Sequence, residues 1–326
     1  MEKSYLKENR IIAGLAFLAS FVIYILTMAP TTSFWDCGEF IATSYTMGVP
    51  HPPGSPLYLL LGNFFSQIPI FSDVGARVNL MSPLASAFSV MFLYLIIVYL
   101  LEEFRGITSN FSDAVINFGS AFVGALTFAV TDSHWFNAVE AEVYAMSTFF
   151  TGIVVWLMLV WARKEGAPGN VRYIIIIAYL IGIATGIHLL NLLTLPFLAL
   201  IIYFKKREFT VPSFLLLIPI PLIVYLIIYQ GIIKGLPNIA QSFGVGVAIF
   251  MVFAIAVGMF ICIRDKYYIG ATIFTSFFLV IIGYSTYASI FIRAQQEPFI
   301  NENDPSTLSK AISYLNREQY GDWSIT

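Results

Sequence analysis

The stretch RIIAGLAFLASFVIYILTMAPTTSFWDCGEF, residues 10–40, decides the architecture. Residues 11–28 are uncharged and dominantly apolar, close to the roughly 20 residues that a helix needs to cross a bilayer. Lys3, Lys7 and Arg10 precede this run, as basic residues do in a cleaved signal peptide. The run is nevertheless long for the apolar core of such a peptide and has no clear small-x-small cleavage site. It leads directly into TSFWDCGEF, the most polar-decorated segment of the chain. It therefore reads as an uncleaved first membrane helix with acidic residues just beyond its end.

The whole chain agrees with that reading. Its 326 residues are 58% hydrophobic and 11% charged, with a mean hydropathy of +0.81, far from the composition of a soluble domain. Further apolar runs fall at 78–101, 114–130, 144–162, 173–187, 189–204, 211–229, 241–262 and 268–287. The expected fold is an all-α polytopic membrane protein with about nine transmembrane helices. A large soluble domain does not fit in this length. Lys and Arg number 17 against 19 Asp and Glu, so no polybasic surface points to nucleic acid. Cys37 and Cys262 cannot by themselves build a disulfide framework or a four-ligand zinc site.

Cytoplasmic flanks carry an excess of Lys and Arg. With the N-terminus inside, the inner flanks hold Lys3, Lys7, Arg10, Arg105, Arg163, Lys164, Arg172, Lys205, Lys206, Arg207, Arg264 and Lys266, most of the 17 basic residues. The outer side keeps Arg77, Lys234, Arg293, Lys310 and Arg317. Preserving this pattern requires 173–204 to be two short helices meeting near Gly186 and His188. It also requires LYLLLGNFF at 57–65, too short to span, to lie at the interface within one long first outer loop, 29–77. From 288 the chain turns polar. The expected organisation is a transmembrane domain at 1–287 and an extracytoplasmic tail at 288–326 leading to a further soluble region.

Outside the tail, the outer acids are Asp36, Glu39, Asp73, Asp132, Glu140 and Glu142, and His51, His134 and His188 fall at the same boundary. Ionisable groups held at the edge of a membrane bundle mark a site by default. Asp36 and Glu39 are three apart, which on a helix puts both carboxylates on one face. A carboxylate shielded from water beside a second one can serve as a general base or hold a metal; the alternative is a hydrated Asp capping a helix. His51 precedes two prolines in GVPHPPGSPLY, a stiff turn that either presents it to a ligand or simply enters the interfacial helix. Glu140 and Glu142, two apart, would point to opposite faces of a helix. Glu140 is then the better site candidate, against plain helix N-terminal acids.

His188 and Asn191 share a face at the hinge, as ligand groups or as an interhelical hydrogen bond. Arg77 and Arg293 are the outer cations able to meet a phosphate in two-pronged fashion, or are ordinary flank charges. No cofactor is required by the sequence. A divalent metal, if one binds, would use Asp36, Glu39 or Glu140. Neither a G-x-x-x-x-G-K-[ST] loop nor an H-E-x-x-H pair is present, so ATP hydrolysis and zincin chemistry are unsupported.

The runs APTTSFWDCGEFIATSYTMGVPHPPGSPLYLLLG, WFNAVEAEVYAM and GIHLLNLLTLPFL, with INENDP and YLNREQYGD, resemble a bacterial membrane family related to the eukaryotic transmembrane protein O-mannosyltransferase of plexin-type domains. The resemblance covers essentially the whole chain. It implies a GT-C-like glycosyltransferase bundle taking a sugar from a polyprenyl-phosphate donor outside the cytoplasm, with the lipid tail in a groove among the helices. It also implies an essential first-loop acid, commonly an adjacent Asp-Glu pair followed by a Pro-rich turn. Glu39 falls at the Glu of that pair, while Gly38 stands at the Asp position and the Asp has moved to Asp36. The implied base is thus Asp36 or Glu39.

The function so implied is transfer of mannose to Ser or Thr of exported proteins at a bacterial inner (cytoplasmic) membrane. The N-terminus would be cytoplasmic and the active site extracytoplasmic, among membrane lipid. The same chemistry on a lipid or glycan acceptor is the alternative, followed by a secondary transporter. Transport predicts acids near mid-membrane and an internal repeat, and neither is evident.

Overall fold

A computed structural model describes residues 5–321; Lys3 and the last residues of the tail, 322–326, lie outside that range. Among the described residues, eight helices are long and apolar enough to cross a membrane: Leu6–Thr27, Val74–Arg105, Phe111–Ala129, Val143–Arg163, Leu189–Lys206, Val211–Phe243, Val245–Arg264 and Tyr268–Ala294. The ninth run, expected at 173–187, forms a helix of only 14 residues, Val171–Ala184. At 1.5 Å per residue it is shorter than a hydrocarbon core of about 30 Å. It ends because Thr185–Ile187 turn sharply and His188 becomes extended at φ −159°. The hinge expected near Gly186 and His188 is therefore real. PLYLLLGNFFS is an isolated 11-residue apolar helix, too short to span. The run expected at 241–262 starts instead at Val245, because Gly244 breaks the helix at φ 91°.

The chain divides into two compact units, Met1–Ile41 with Gly62–Leu159, and Ala42–Leu61 with Val160–Thr326. The first contains α1 (Leu6–Thr27) and the start of α2 (Cys37–Thr46). After α3 (Pro56–Ser66) it continues with α4 (Val74–Asn79), α5 (Met81–Arg105), α6 (Phe111–Ala129), α7 (Asp132–Ala138) and most of α8 (Val143–Arg163). Helix α5 packs on both α1 and α6. The shared core is rich in alanine, with Ala13, Ala16, Ala114, Ala121, Ala125 and Ala129 around Tyr24, Val90 and Tyr94. Lipid tails are as apolar as leucine, so helices in a membrane associate through close backbone approach, which small residues allow. The Tyr24 hydroxyl donates to Ala129 O at 2.8 Å, Trp135 Nε1 donates to Thr27 Oγ1 at 2.9 Å, and Ala29 N–H donates to Val139 O at 2.8 Å. These bonds fasten the far end of α1, where the acidic segment begins, to the α6–α8 connection.

The second unit contains α9 (Val171–Ala184), α10 (Leu195–Lys206), α11 (Val211–Leu217) and α12 (Pro219–Leu226). It continues with α13 (Gly235–Phe243), α14 (Val245–Arg264), α15 (Tyr268–Tyr284), α16 (Ala288–Ala294) and α17 (Leu308–Asn316). Its tightest crossing is α9 on α15: a Cβ on Gly182 would sit 2.6 Å from Val280 O, and Gly283 meets the backbone of Gly182 and Ile183. Ser55 Oγ donates to Ile187 O at 2.9 Å and Leu57 N–H to Gly186 O at 2.8 Å, so the start of α3 is tied to the hinge after α9. Residues of the polar tail pack in this unit as well. Val49 forms a bridge with Asn301, and Ala311, Tyr314 and Leu315 of α17 are buried.

Candidate active site

Asp36, Glu39, Glu140 and Glu142 all lie outside the long apolar helices of the first unit. Asp36 immediately precedes α2, with its carbonyl accepting the N–H of Phe40 at 2.9 Å, and Glu39 lies in the first turn. As the three-residue spacing predicts, each turns a carboxylate oxygen to within 4.8 Å of the other. Asp36 is exposed and Glu39 half-buried. The two could offer oxygen ligands to a hard divalent cation.

Glu140 and Glu142 lie in the short connection between α7 and α8, where the Glu142 N–H donates to Glu140 O at 2.9 Å. The segment is a turn, so the opposite-face argument made for a helix does not apply here. Both acids are buried, at 1% and 4% exposure, and Glu140 Oε1 has no hydrogen-bond partner. Glu142 was the weaker candidate in the sequence, yet it lies beside Asp36, and its carboxylate accepts the backbone N–H of Val143 at 3.3 Å. Burial, and then the charge of Asp36, push its carboxyl up to about 7. The signal available in the sequence was two acids directly before an apolar run. It did not reveal which of them faces Asp36.

One further residue, Asn79, was not anticipated. Asn79, fully buried at the end of α4, donates to Ala29 O at 2.8 Å and to Thr31 O at 2.9 Å, and its Oδ1 accepts from Cys37 Sγ at 3.7 Å. Burial raises the Cys37 thiol above its ordinary range. His134 is also buried, its ring tilted 33° against that of Phe128 with centroids 4.3 Å apart. Desolvation lowers it to about 4, and it stands as a neutral core side chain. Arg77 donates from Nε to Phe71 O at 2.6 Å, from Nη1 to Ser66 O at 3.1 Å and from Nη2 to Ser72 O at 3.2 Å. The guanidinium is thereby fixed in orientation, with N–H groups remaining among the five an Arg carries.

The second unit holds the remaining candidates. His51 sits in the Pro-rich turn, where its carbonyl accepts from Gly54 N–H at 3.0 Å. His188 Nδ1 accepts from Leu190 N–H at 3.1 Å, and Asn191 Nδ2 donates to His188 O at 2.9 Å, so these two are neighbours at the hinge, as expected. Burial and the Arg317 charge lower the His188 imidazole below its ordinary value. Arg293 donates to Met47 O at 2.7 Å and Thr46 O at 3.3 Å, and also to Gln296 Oε1. Between α10 and the α11–α12 segment lies an apolar cavity of about 490 Å³ lined by Leu192, Pro196, Leu200, Phe214, Leu217 and Leu222.

Apolar helices with a carboxylate group gathered at the start of a short helix outside them define a polytopic membrane protein with an acidic centre beyond its spans. The profile of the Protein O-mannosyl-transferase TMEM260 N-terminal domain matches residues 36–211, beginning at Asp36. The chain belongs to this family. Protein O-mannosyl-transferase tmem260 of Dictyostelium discoideum is 29% identical over 208 residues, covering 60% of this chain and 23% of that protein. Protein O-mannosyl-transferase TMEM260 of Mus musculus is 25% identical over 197 residues, covering 60% of this chain and 26% of that protein. The chain thus spans about a quarter of the length of the curated relatives it matches. No solved structure matches it.

Proposed function

We propose that this protein is a glycosyltransferase that moves mannose from a polyprenyl-phosphate donor to Ser or Thr of exported proteins on the extracytoplasmic side of a bacterial inner membrane. The observation that carries the reading is the Asp36 and Glu39 pair, with oxygens within 4.8 Å, at the point where the family match begins. Relatives named as protein O-mannosyl-transferases support the same reaction class.

In this reading one of the two carboxylates takes the proton of the acceptor hydroxyl. The freed oxygen attacks the anomeric carbon as the bond from that carbon to the phosphate oxygen breaks, and polyprenyl phosphate departs with the electron pair. Arg77, already oriented by three carbonyls, is the candidate in its unit for the developing phosphate charge. Glu140 is the candidate for a sugar hydroxyl. In the second unit, His51, His188, Asn191 and Arg293 are the candidate binding groups, and the apolar cavity beside α10 is the candidate bed for the isoprenoid tail. The reaction as proposed needs no cofactor. A divalent ion, if bound at Asp36 and Glu39, would supply charge stabilisation to the leaving phosphate.

The test is transfer by the protein reconstituted in lipid, with polyprenyl-phosphate mannose and exported acceptor proteins, comparing wild type with Asp36→Asn and Glu39→Gln. Removing the general base is expected to lower kcat by about 10²–10⁴-fold in one of the two variants. Undiminished transfer in both, or no transfer and no donor binding in the wild type, would sink the reading.

A further inference from the structure

Trp35, directly before Asp36, has φ 55°, a left-handed conformation that is costly for a bulky side chain. Its indole is 83% exposed, so side-chain packing does not hold this turn in place. Two buried polar side chains from elsewhere in the first unit do. Asn79, at the end of α4, uses both amide protons on the carbonyls of Ala29 and Thr31, and its oxygen accepts from Cys37 at the first position of α2. Glu142, directly before α8, is buried beside the Asp36 backbone, with its carboxylate accepting the N–H of Val143 at 3.3 Å. The bond from Ala29 N–H to Val139 O closes the frame from the α7–α8 side.

We propose that Asn79 and Glu142 are positioning residues of the reaction, holding residues 29–37 so that the Asp36 carboxylate meets the acceptor hydroxyl in one geometry. The kinetic consequence rests on the transferase reading given above; the clamp itself has a separate readout. That readout is Cys37, which is fully buried behind the same turn. If the clamp opens, its thiol becomes accessible to a maleimide. Cys262 is the other free cysteine and is removed by Cys262→Ser.

In that background, Asn79→Ala and Glu142→Ala are each expected to speed Cys37 labelling about tenfold, the effect of losing roughly 1.4 kcal/mol of closure on a buried hydrogen bond. Each should also lower kcat about 100-fold through a misplaced catalytic group, with donor KM little changed. Glu142→Gln keeps the size of the buried side chain and an acceptor oxygen for the Val143 N–H, and should restore both labelling and kcat to near wild type. Asn79→Ser, a milder change, covers the case in which Asn79→Ala does not fold. Unchanged Cys37 protection in folded Asn79 and Glu142→Ala variants would overturn the proposal. So would a Glu142→Gln variant as slow in transfer as Glu142→Ala with Cys37 still protected, since that result assigns Glu142 a charge-dependent role. Absence of transfer in the wild type would refute the transferase reading, and labelling alone would then decide the clamp.

Discussion

Tyr314 donates its hydroxyl to Pro50 O at 2.5 Å across 264 residues of sequence. This bond ties α17, in the polar tail, to the turn that carries His51. Gly54 belongs to the same contact. It has φ 97°, and a Cβ there would stand 2.7 Å from the Tyr314 hydroxyl oxygen. The polar segment after residue 294 is therefore built into the second unit by specific bonds despite its low apolar content.

Tyr314→Phe removes a buried bond and leaves the Pro50 carbonyl unsatisfied, for an expected loss of about 1–3 kcal/mol. Gly54→Ala combines backbone strain with a clash and should cost at least as much. Both changes should release α17 to limited proteolysis after residue 300 at temperatures where the wild type resists. Equal protease resistance in all three proteins would show that the contact does not hold the tail.

Gly182→Ala forces α9 and α15 apart, because the new Cβ would meet Val280 O at 2.6 Å. Overpacking at such a crossing costs about 1–3 kcal/mol. The expected outcome is a lower Tm in detergent than for Ala substituted at Gly246, where a Cβ meets nothing within 4 Å. If the two variants unfold together, the crossing is looser than its geometry indicates.

Stability should also depend on pH through Glu142. Its folded carboxyl is raised from 4.5 to about 7, chiefly by burial and then by the Asp36 charge, with Glu140 the other acid facing it. A raised carboxyl favours the fold while protonated. Its contribution is thus fully present below about pH 4.5 and is lost as pH rises through 7, by on the order of 3 kcal/mol. Glu142→Gln should lack this loss, matching wild type in Tm at pH 5 and exceeding it at pH 8. Parallel pH profiles for the two proteins would exclude Glu142 as the source.

Much of this protein was legible in its sequence because membrane insertion acts on local composition. An apolar run of sufficient length must form a helix, since its backbone polar groups have no water to bond with. The spans, the short apolar helix at Pro56–Ser66 and the break before His188 follow from run length and flanking charge. The Asp36 and Glu39 pair was legible for a similar reason, because a spacing of three fixes the geometry within one helical turn.

Tertiary structure decided everything that depends on distant segments meeting. Glu142 reaches Asp36 because α8 begins beside the end of α1, and Asn79 reaches Ala29 and Thr31 across about fifty positions of chain. The carbonyls held by Arg77, the burial of His134 and the seating of Tyr314 on Pro50 are likewise products of packing. Apolar patterning says which residues enter the membrane. Which polar atoms then face one another is set by how the helices approach, and small residues such as Ala16, Ala121 and Gly182 permit that approach without specifying its partners.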